Sequence, residues 1–344
     1  MRGNAAKGGP PPVSGPAHTD SVGVSTIVVG IDGSEHSRQA VKWACDEAHR
    51  RGALLRLVFA EISKPEHVPP WYKPGQGAVS AGQAVVDDAF GLVVTRHPSV
   101  VARAEVVKWP PALVLTIASR SAELLVVGAR GRGGFKELLL GSISDQCIQY
   151  SHCPVVVVSD DPEAVREPEG GPRIVVGIDG SFGSAQALRW ALEEAKVRSA
   201  TVEALYMWQY PPIGAFVLGP PKGFKAIGQE IVDGARAFQN KWAPDVAFEV
   251  AAHMGPTVPS LLDHSRGADL LVLGSRGHGS FGDALLGSVA HQCARHAHGA
   301  VVVTRPPVTA DSLSPKDSFD GVAEGSVAQV RPETSASPAS REGR

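Results

Sequence analysis

Two runs of β-branched and aliphatic residues, 26–31 and 173–178, carry no polar alternation. Such a run suits a parallel strand buried on both faces. Behind each, the period changes. Val41, Ala44, Cys45 and Ala48 fall at i, i+3, i+4 and i+7, and Leu188, Ala191, Leu192 and Ala195 repeat that spacing. Each set predicts an amphipathic helix. Second strands are expected near 53–60 and 201–207, longer helices over about 78–95 and 224–241, and third strands near 101–107 and 246–252. Short helices, fourth strands at 123–128 and 269–274, further helices, and valine-dominated fifth strands at 155–158 and 300–304 complete the pattern. A Pro-rich loop follows each second strand, with Pro65, Pro69, Pro70 and Pro74 in one case and Pro211, Pro212, Pro220 and Pro221 in the other.

The two series are one pattern written twice. Ile27 to Ser34 recurs letter for letter as Ile174 to Ser181, and Trp43 recurs as Trp190, at an offset of 147. Leu125 to Gly128 corresponds to Leu271 to Gly274, and Leu139 to Ser142 to Leu285 to Ser288, at an offset of 146. That period is too long for a solenoid unit and marks a duplicated domain. Alternating strands and helices imply parallel βαβ units with right-handed crossovers. The expected fold is therefore α/β, with two tandem doubly wound domains of five parallel strands and helices on both faces. The expected domains are 25–160 and 173–305, joined by a linker at 161–172 and flanked by disordered tails at 1–24 and 306–344. The last tail is rich in Pro, Ser, Glu and Asp.

Composition narrows the classes. The chain has 344 residues, 43% hydrophobic and 20% charged, with a formal net charge of −2 and no long charged block. Nothing in it favours nucleic acid or a membrane surface, and no apolar run is long enough to span a bilayer. The basic residues Arg2 and Lys7 are not followed by a signal-type apolar run. Four cysteines, Cys45, Cys147, Cys153 and Cys293, form no CxxC pair. They read as buried small apolar residues of a cytoplasmic protein. His291, His296 and His298 gather near the last helix, but copy one has no counterpart to them, so no metal site is expected.

The candidate chemistry follows the fourth strand. Gly128-Ala-Arg-Gly131 is followed by nine residues and Gly141-Ser142; Gly274-Ser-Arg-Gly277 is followed by nine residues and Gly287-Ser288. Glycines let backbone N–H groups approach an anion closely. The last glycine of each set precedes a helix, whose N-terminal N–H groups favour negative charge. Ser142 and Ser288 add hydroxyl donors that equally suit a helix cap. Asp32 and Asp179 end the first strands, on the same sheet edge, where open α/β sheets bind ligands. They also suit simple turn or cap roles.

The pattern G-x2-G-x9-G-[ST] after the fourth strand, with V-G-x-D-G-S after the first, resembles the ATP-binding class of the universal stress protein family. The resemblance covers about 25–160 and 172–305, and the doubled form is similar to the two-domain members of actinobacteria. It implies a Rossmann-like fold of the adenine nucleotide alpha-hydrolase kind and ATP as ligand, alone or with Mg2+. It implies that Asp32 and Asp179 lie by the adenosine, that Phe59 and Met207 contact adenine, and that Val127 and Leu273 flank that pocket. Gly128, Gly131, Gly141, Ser142 and Ile143 would hold ribose and phosphates in copy one, and Gly274, Gly277, Gly287, Ser288 and Val289 in copy two. Arg132 lies inside the first loop as a phosphate partner, with His278 as its counterpart. After the third strand the family's Gly-Pro step is kept as Gly255-Pro256, whereas copy one has Trp109-Pro110-Pro111. The implied function is a nucleotide-dependent regulator of the stress response with at most slow hydrolysis, acting on a regulatory protein partner of unknown identity. An ATPase or nucleotidyl-transfer enzyme and a nucleotide-free scaffold are the alternatives. A Walker loop is missing, and the first strand ends in Gly-Ile-Asp-Gly-Ser rather than in the G-x-G-x-x-G turn of a dinucleotide-binding oxidoreductase. The apolar fifth strands are exposed edges in an isolated domain. They imply a pseudo-dimer within the chain, and the family adds a homodimer.

Overall fold

The computed structural model describes residues 25–61, 78–131, 140–159, 171–209, 224–277 and 286–305. Both expected tails, most of the linker and both Pro-rich loops lie outside them. The first half runs β1 (Thr26–Ile31), α1 (Glu35–Arg51), β2 (Leu54–Ala60), α2 (Ala78–Arg96), β3 (Ala102–Val107), α3 (Pro111–Ala118), β4 (Leu124–Gly128), α4 (Ser142–Tyr150) and β5 (Val155–Val158). The second runs β6 (Arg173–Ile178), α5 (Phe182–Arg198), β7 (Thr201–Trp208), α6 (Phe224–Trp242), β8 (Phe248–Met254), α7 (Thr257–His264), β9 (Leu270–Gly274), α8 (Ser288–His296) and β10 (Val301–Thr304).

Local chemistry sets the boundaries of the first helices. Ser34 caps α1 by accepting from Ser37 N at 3.2 Å, and Ser181 caps α5 by accepting from Ser184 N at 3.2 Å. Such a cap is worth ~1 kcal/mol. Gly52, at φ 63°, ends α1 in the left-handed conformation that glycine adopts without strain. Its equivalent Ser199 adopts φ 52° without that advantage.

All strands join one ten-stranded sheet in the order β3-β2-β1-β4-β5-β10-β9-β6-β7-β8. Within each half the pairs are parallel. Strand order reverses between β1 and β4, and again between β6 and β9. These switch points open a crevice at the carboxyl ends of the strands. Helices cover both faces. Buried residues of α1, α2, α5 and α6 pack on one face, around Ile27, Leu55, Ile174 and Val202. Buried residues of α3, α4, α7 and α8 pack on the other, around Val28, Leu125, Val175 and Leu271. Trp43 and Trp190 pack against the first of these cores, and all four cysteines are buried and unpaired.

The fifth strands meet at the seam. β5 and β10 pair antiparallel, Val155 facing Val303, Val156 facing Val302 and Val157 facing Val301. The edge each half would expose alone is thereby removed. Over the first face, α1 and α5 exchange ion pairs about a pseudo-two-fold axis: Arg51 with Glu194, and Arg198 with Glu47 at 2.5 Å. Both glutamates are fully buried. Over the second face, Asp145 of α4 pairs with His291 of α8 at 2.9 Å. Arg305 donates to the carbonyls of Ile148 and Gln149, and Ser159 Oγ to Gly299 O at 3.3 Å.

Candidate functional site

The crevice of the second half holds a cavity of about 670 Å3, within the usual range for small-molecule sites. Its floor is apolar: Gly177 of β6, Leu205 and Met207 of β7, Leu261 of α7 and Leu273 of β9. Gly177 leaves the floor open where a side chain would collide with Leu273 Cδ2 at 2.7 Å. Its rim is polar: Asp179, Ser184, Thr257, Arg276, Gly277, Gly287, Ser288 and His291, together with Gln149 from the first half.

The loop after β6 is built around its aspartate. Asp179 Oδ1 accepts from Ser181 N at 3.0 Å, and Asp32 Oδ1 from Ser34 N at 2.9 Å. Each aspartate therefore folds its own turn, and Asp179 also faces the cavity. The glycine loop lies directly against it. A Cβ on Gly131 would stand 2.5 Å from Asp32 Oδ2, and one on Gly277 would overlap Asp179 Oδ2. Gly128 and Gly274 are equally tight. A Cβ there would meet the His36 backbone at 2.7 Å or Gly183 O at 2.5 Å. These glycines allow two loops to close on each other, leaving backbone at the surface of the crevice.

Gly141 and Gly287 open α4 and α8 in extended conformation, with no side-chain cap. Their own N–H groups donate to Ala129 O and Ser275 O, each at 2.7 Å, tying the helix start to the glycine loop. Helix geometry leaves the next N–H groups without intrahelical acceptors, and they carry the positive end of the helix dipole. Ser142 and Ser288 are the first helical residues and are exposed, so neither acts as the cap. An arginine accompanies each loop. Arg276 lines the cavity, while Arg130 Nε is buried with no hydrogen-bond partner among the described residues. Burial, then the neighbouring Arg276 guanidinium, pulls Arg305 below its usual range. Uncapped helix starts, open glycine backbone and crowded guanidiniums together suit an anion next to an apolar slot.

The structure brings Asp179, Met207, Leu273, Gly274, Gly277, Gly287, Ser288 and Val289 to one cavity. Their counterparts Asp32, Val127, Gly128, Gly131, Gly141, Ser142 and Ile143 hold matching places in the first half. Phe59 does not. It pairs with Ile31 in the sheet, as Tyr206 does with Ile178, and it packs in the α1–α2 layer on the opposite face, beneath Gly82. The residue equivalent to Met207 is Ala60, at the repeat offset of 147. A slip of one residue along a strand exchanges the faces, and the expected contact of Phe59 with adenine is corrected accordingly. Arg132 and His278 lie outside the described residues. Trp109, where the second half has Gly255, is half-exposed and precedes the Pro110 cap of α3. Gly177, Leu205, Thr257 and Leu261 were legible only as strand or helix residues. A glycine inside a buried strand was the available signal for Gly177. His291 was legible only as part of a histidine cluster near the last helix, and its association with Gln149 gave no signal because it crosses the two copies.

Comparison with known proteins agrees with this architecture. The model of the universal stress protein family matches residues 23–159 and again 172–305. A universal stress protein of Mycobacterium tuberculosis is 31% identical over 299 residues, covering 82% of this chain and 97% of its own. One from Mycolicibacterium smegmatis is 33% identical over 294 residues, covering 81% and 97%. Among solved structures, a universal stress protein from Archaeoglobus fulgidus shares the fold at a TM-score of 0.59 and 18% identity, covering 81% of this chain and 96% of its own. With two family matches placed on the two halves of one sheet, and relatives that align along nearly their whole length, the chain belongs to the universal stress protein family.

Proposed function

We propose that this chain is an ATP-binding regulator of the stress response, with one nucleotide site in each half and at most slow hydrolysis. The observation that carries the reading is the cavity that joins an apolar slot at β7 to the uncapped start of α8 through Asp179 and the glycine loop. Met207, Leu205 and Leu261 offer the base an apolar slot, and Asp179 offers the ribose hydroxyls a carboxylate. Gly274, Gly277, Gly287, Ser288 and Val289 offer the phosphates backbone donors, with Arg276 beside them. Gly128, Gly131, Gly141, Ser142 and Ile143 play the same parts in the first half, with Asp32 and Val127 beside the nucleoside.

Asp179 is the one carboxylate on the cavity wall among the described residues. Mg2+ suits such a site, since it is commonly held by one or two carboxylates, substrate phosphates and water. On this reading the bound nucleotide acts by shifting a conformation or partner equilibrium. The buried free cysteines fit a cytoplasmic setting. A regulatory protein partner completes the reading. A homodimer would need a surface other than the fifth strands, whose edges the seam already uses.

Titration calorimetry with ATP, with and without Mg2+, tests the reading when run beside a phosphate-release assay. Two ATP per chain with release far below ~1 s⁻¹, the lower end for kinases, is the expected result. Turnover at ordinary enzyme rates would replace the regulator with an ATPase, and absent binding would remove the nucleotide.

A further inference from the structure

The cavity of the second half does not end within that half. Its wall includes Gln149, from α4 of the first half, beside His291 of α8. These side chains meet through a shared carboxylate. Gln149 Nε2 donates to Asp145 Oδ2 at 3.0 Å, and His291 Nε2 lies 2.9 Å from Asp145 Oδ1. Asp145 and His291 are equivalent positions of the repeat, 146 residues apart, so their contact lies on the pseudo-two-fold axis. Arg305, at the end of β10, holds the carbonyls of Ile148 and Gln149. The second half thus fixes the backbone of Gln149, and Asp145 fixes its amide.

Position along the cavity says what this wall can meet. Inward from the edge strand β8, the sheet order toward the seam is β7, β6, β9, β10. Met207 belongs to β7, Asp179 follows β6, and Gly277 follows β9. With strands ~4.8 Å apart, the path from Met207 to the seam is about 14 Å. On the reading proposed above, which this inference rests on, base, ribose and first phosphate occupy the β7, β6 and β9 stations in turn. Only phosphates beyond the first extend to the seam.

We propose that Gln149 of the first half is a specificity-determining residue of the second half's site, reading the distal phosphates of a nucleoside polyphosphate. Asp145 and His291 are its positioning residues. One amide hydrogen of Gln149 is committed to Asp145, and the second is available to a phosphate oxygen. The site is composite, and a nucleotide long enough to fill it touches both sides of the seam.

The test is the ratio of ATP to AMP affinity, measured by calorimetry in the full chain carrying Gly131→Glu, so that the second site reports. Gln149→Ala is expected to lower ATP affinity about tenfold, the scale of losing a hydrogen bond to a charged group, and to leave AMP affinity unchanged. Gln149→Glu, close in shape but negative, is expected to lower the ratio further. Asp145→Asn, which keeps the size and loses the charge that holds His291, is expected to lower it partway. Thermal unfolding recorded alongside separates this from a structural role, which would move stability without moving the ratio. Equal changes for ATP and AMP, or no change in either, would overturn the inference while leaving nucleotide binding intact. Failure of the parent chain to bind either nucleotide would overturn the proposed function and this inference with it.

Discussion

Removing Arg198 leaves two fully buried carboxylates, Glu47 and Glu194, sharing the guanidinium of Arg51, with only the more exposed Arg50 beside Glu47 at 3.0 Å. In the intact tetrad burial pushes the Glu47 carboxyl up, and Arg198 and Arg51 more than offset this, holding it below its ordinary value. Its two-fold mate Glu194 is pushed the other way, by burial and by the negative charge of Glu47, so the two carboxyls titrate as one pair. Breaking a buried pair by deleting one partner costs about 3–5 kcal/mol. For a chain of this size, each kcal/mol lowers Tm by about 2–4 °C. Arg198→Met is therefore expected to lower the calorimetric Tm by roughly 6–20 °C. Adding Glu47→Gln restores charge balance, since Arg50 and Arg51 then face Glu194 and Glu123, and most of the loss should return. A drop equal to the sum of the two single variants would show that the four groups do not act together. A drop of less than about 1 kcal/mol for Arg198→Met would show a solvated cluster of the surface kind.

Three further outcomes follow from the packing. Burial pushes the thiols of Cys147, Cys153 and Cys293 from 9.0 up to about 12. The unfolded chain ionises these thiols first, so unfolding free energy should fall as pH rises from about 8.5; urea unfolding across that range, against a chain with the three cysteines changed to Ala, reads the slope, and equal slopes would refute it. Val302→Pro removes a ladder donor in a strand paired on both sides and should cost ~3 kcal/mol or more, splitting one calorimetric transition into two; a single unchanged transition would contradict the seam. Gly274→Ala forces a Cβ to 2.5 Å from the Gly183 carbonyl oxygen, which is backbone and cannot rotate away; a loss of about 1–3 kcal/mol is expected in denaturant unfolding, and a neutral variant would mean that α5 and β9 are not locked together.

The fold was legible because parallel strands and amphipathic helices announce themselves by period, and because the chain states its pattern twice. β1, β5 and β6 came out at Thr26–Ile31, Val155–Val158 and Arg173–Ile178 as expected, and other strand boundaries moved by one or two residues, as with β8, expected from 246 and observed from Phe248. The glycine loops were legible from spacing alone, since only glycine fits against Asp32, His36 and Gly183. The expectation for Phe59 fails because the repeat offset pairs Met207 with the next residue along β2. Counting by 147 leads to Ala60, and alternation along β2 then turns Phe59 to the other face. The meeting of Gln149, Asp145 and His291 was illegible for a different reason. Their contacts join helices from separate copies, and no local period encodes a meeting that the seam creates. The same holds for the pairing of Glu47 with Arg198, which joins α1 of one copy to α5 of the other.

Nucleotide content tests the central claim most directly. The protein is purified and denatured, and the released small molecules are identified by chromatography and mass spectrometry. The measurement is repeated with Gly131→Glu and Gly277→Glu, which drive a charged side chain against Asp32 and Asp179. Close to two adenine nucleotides per chain, reduced by one in each variant, is the expected result. A protein that carries none, and takes up none when ATP is added, would contradict the account and leave a duplicated scaffold.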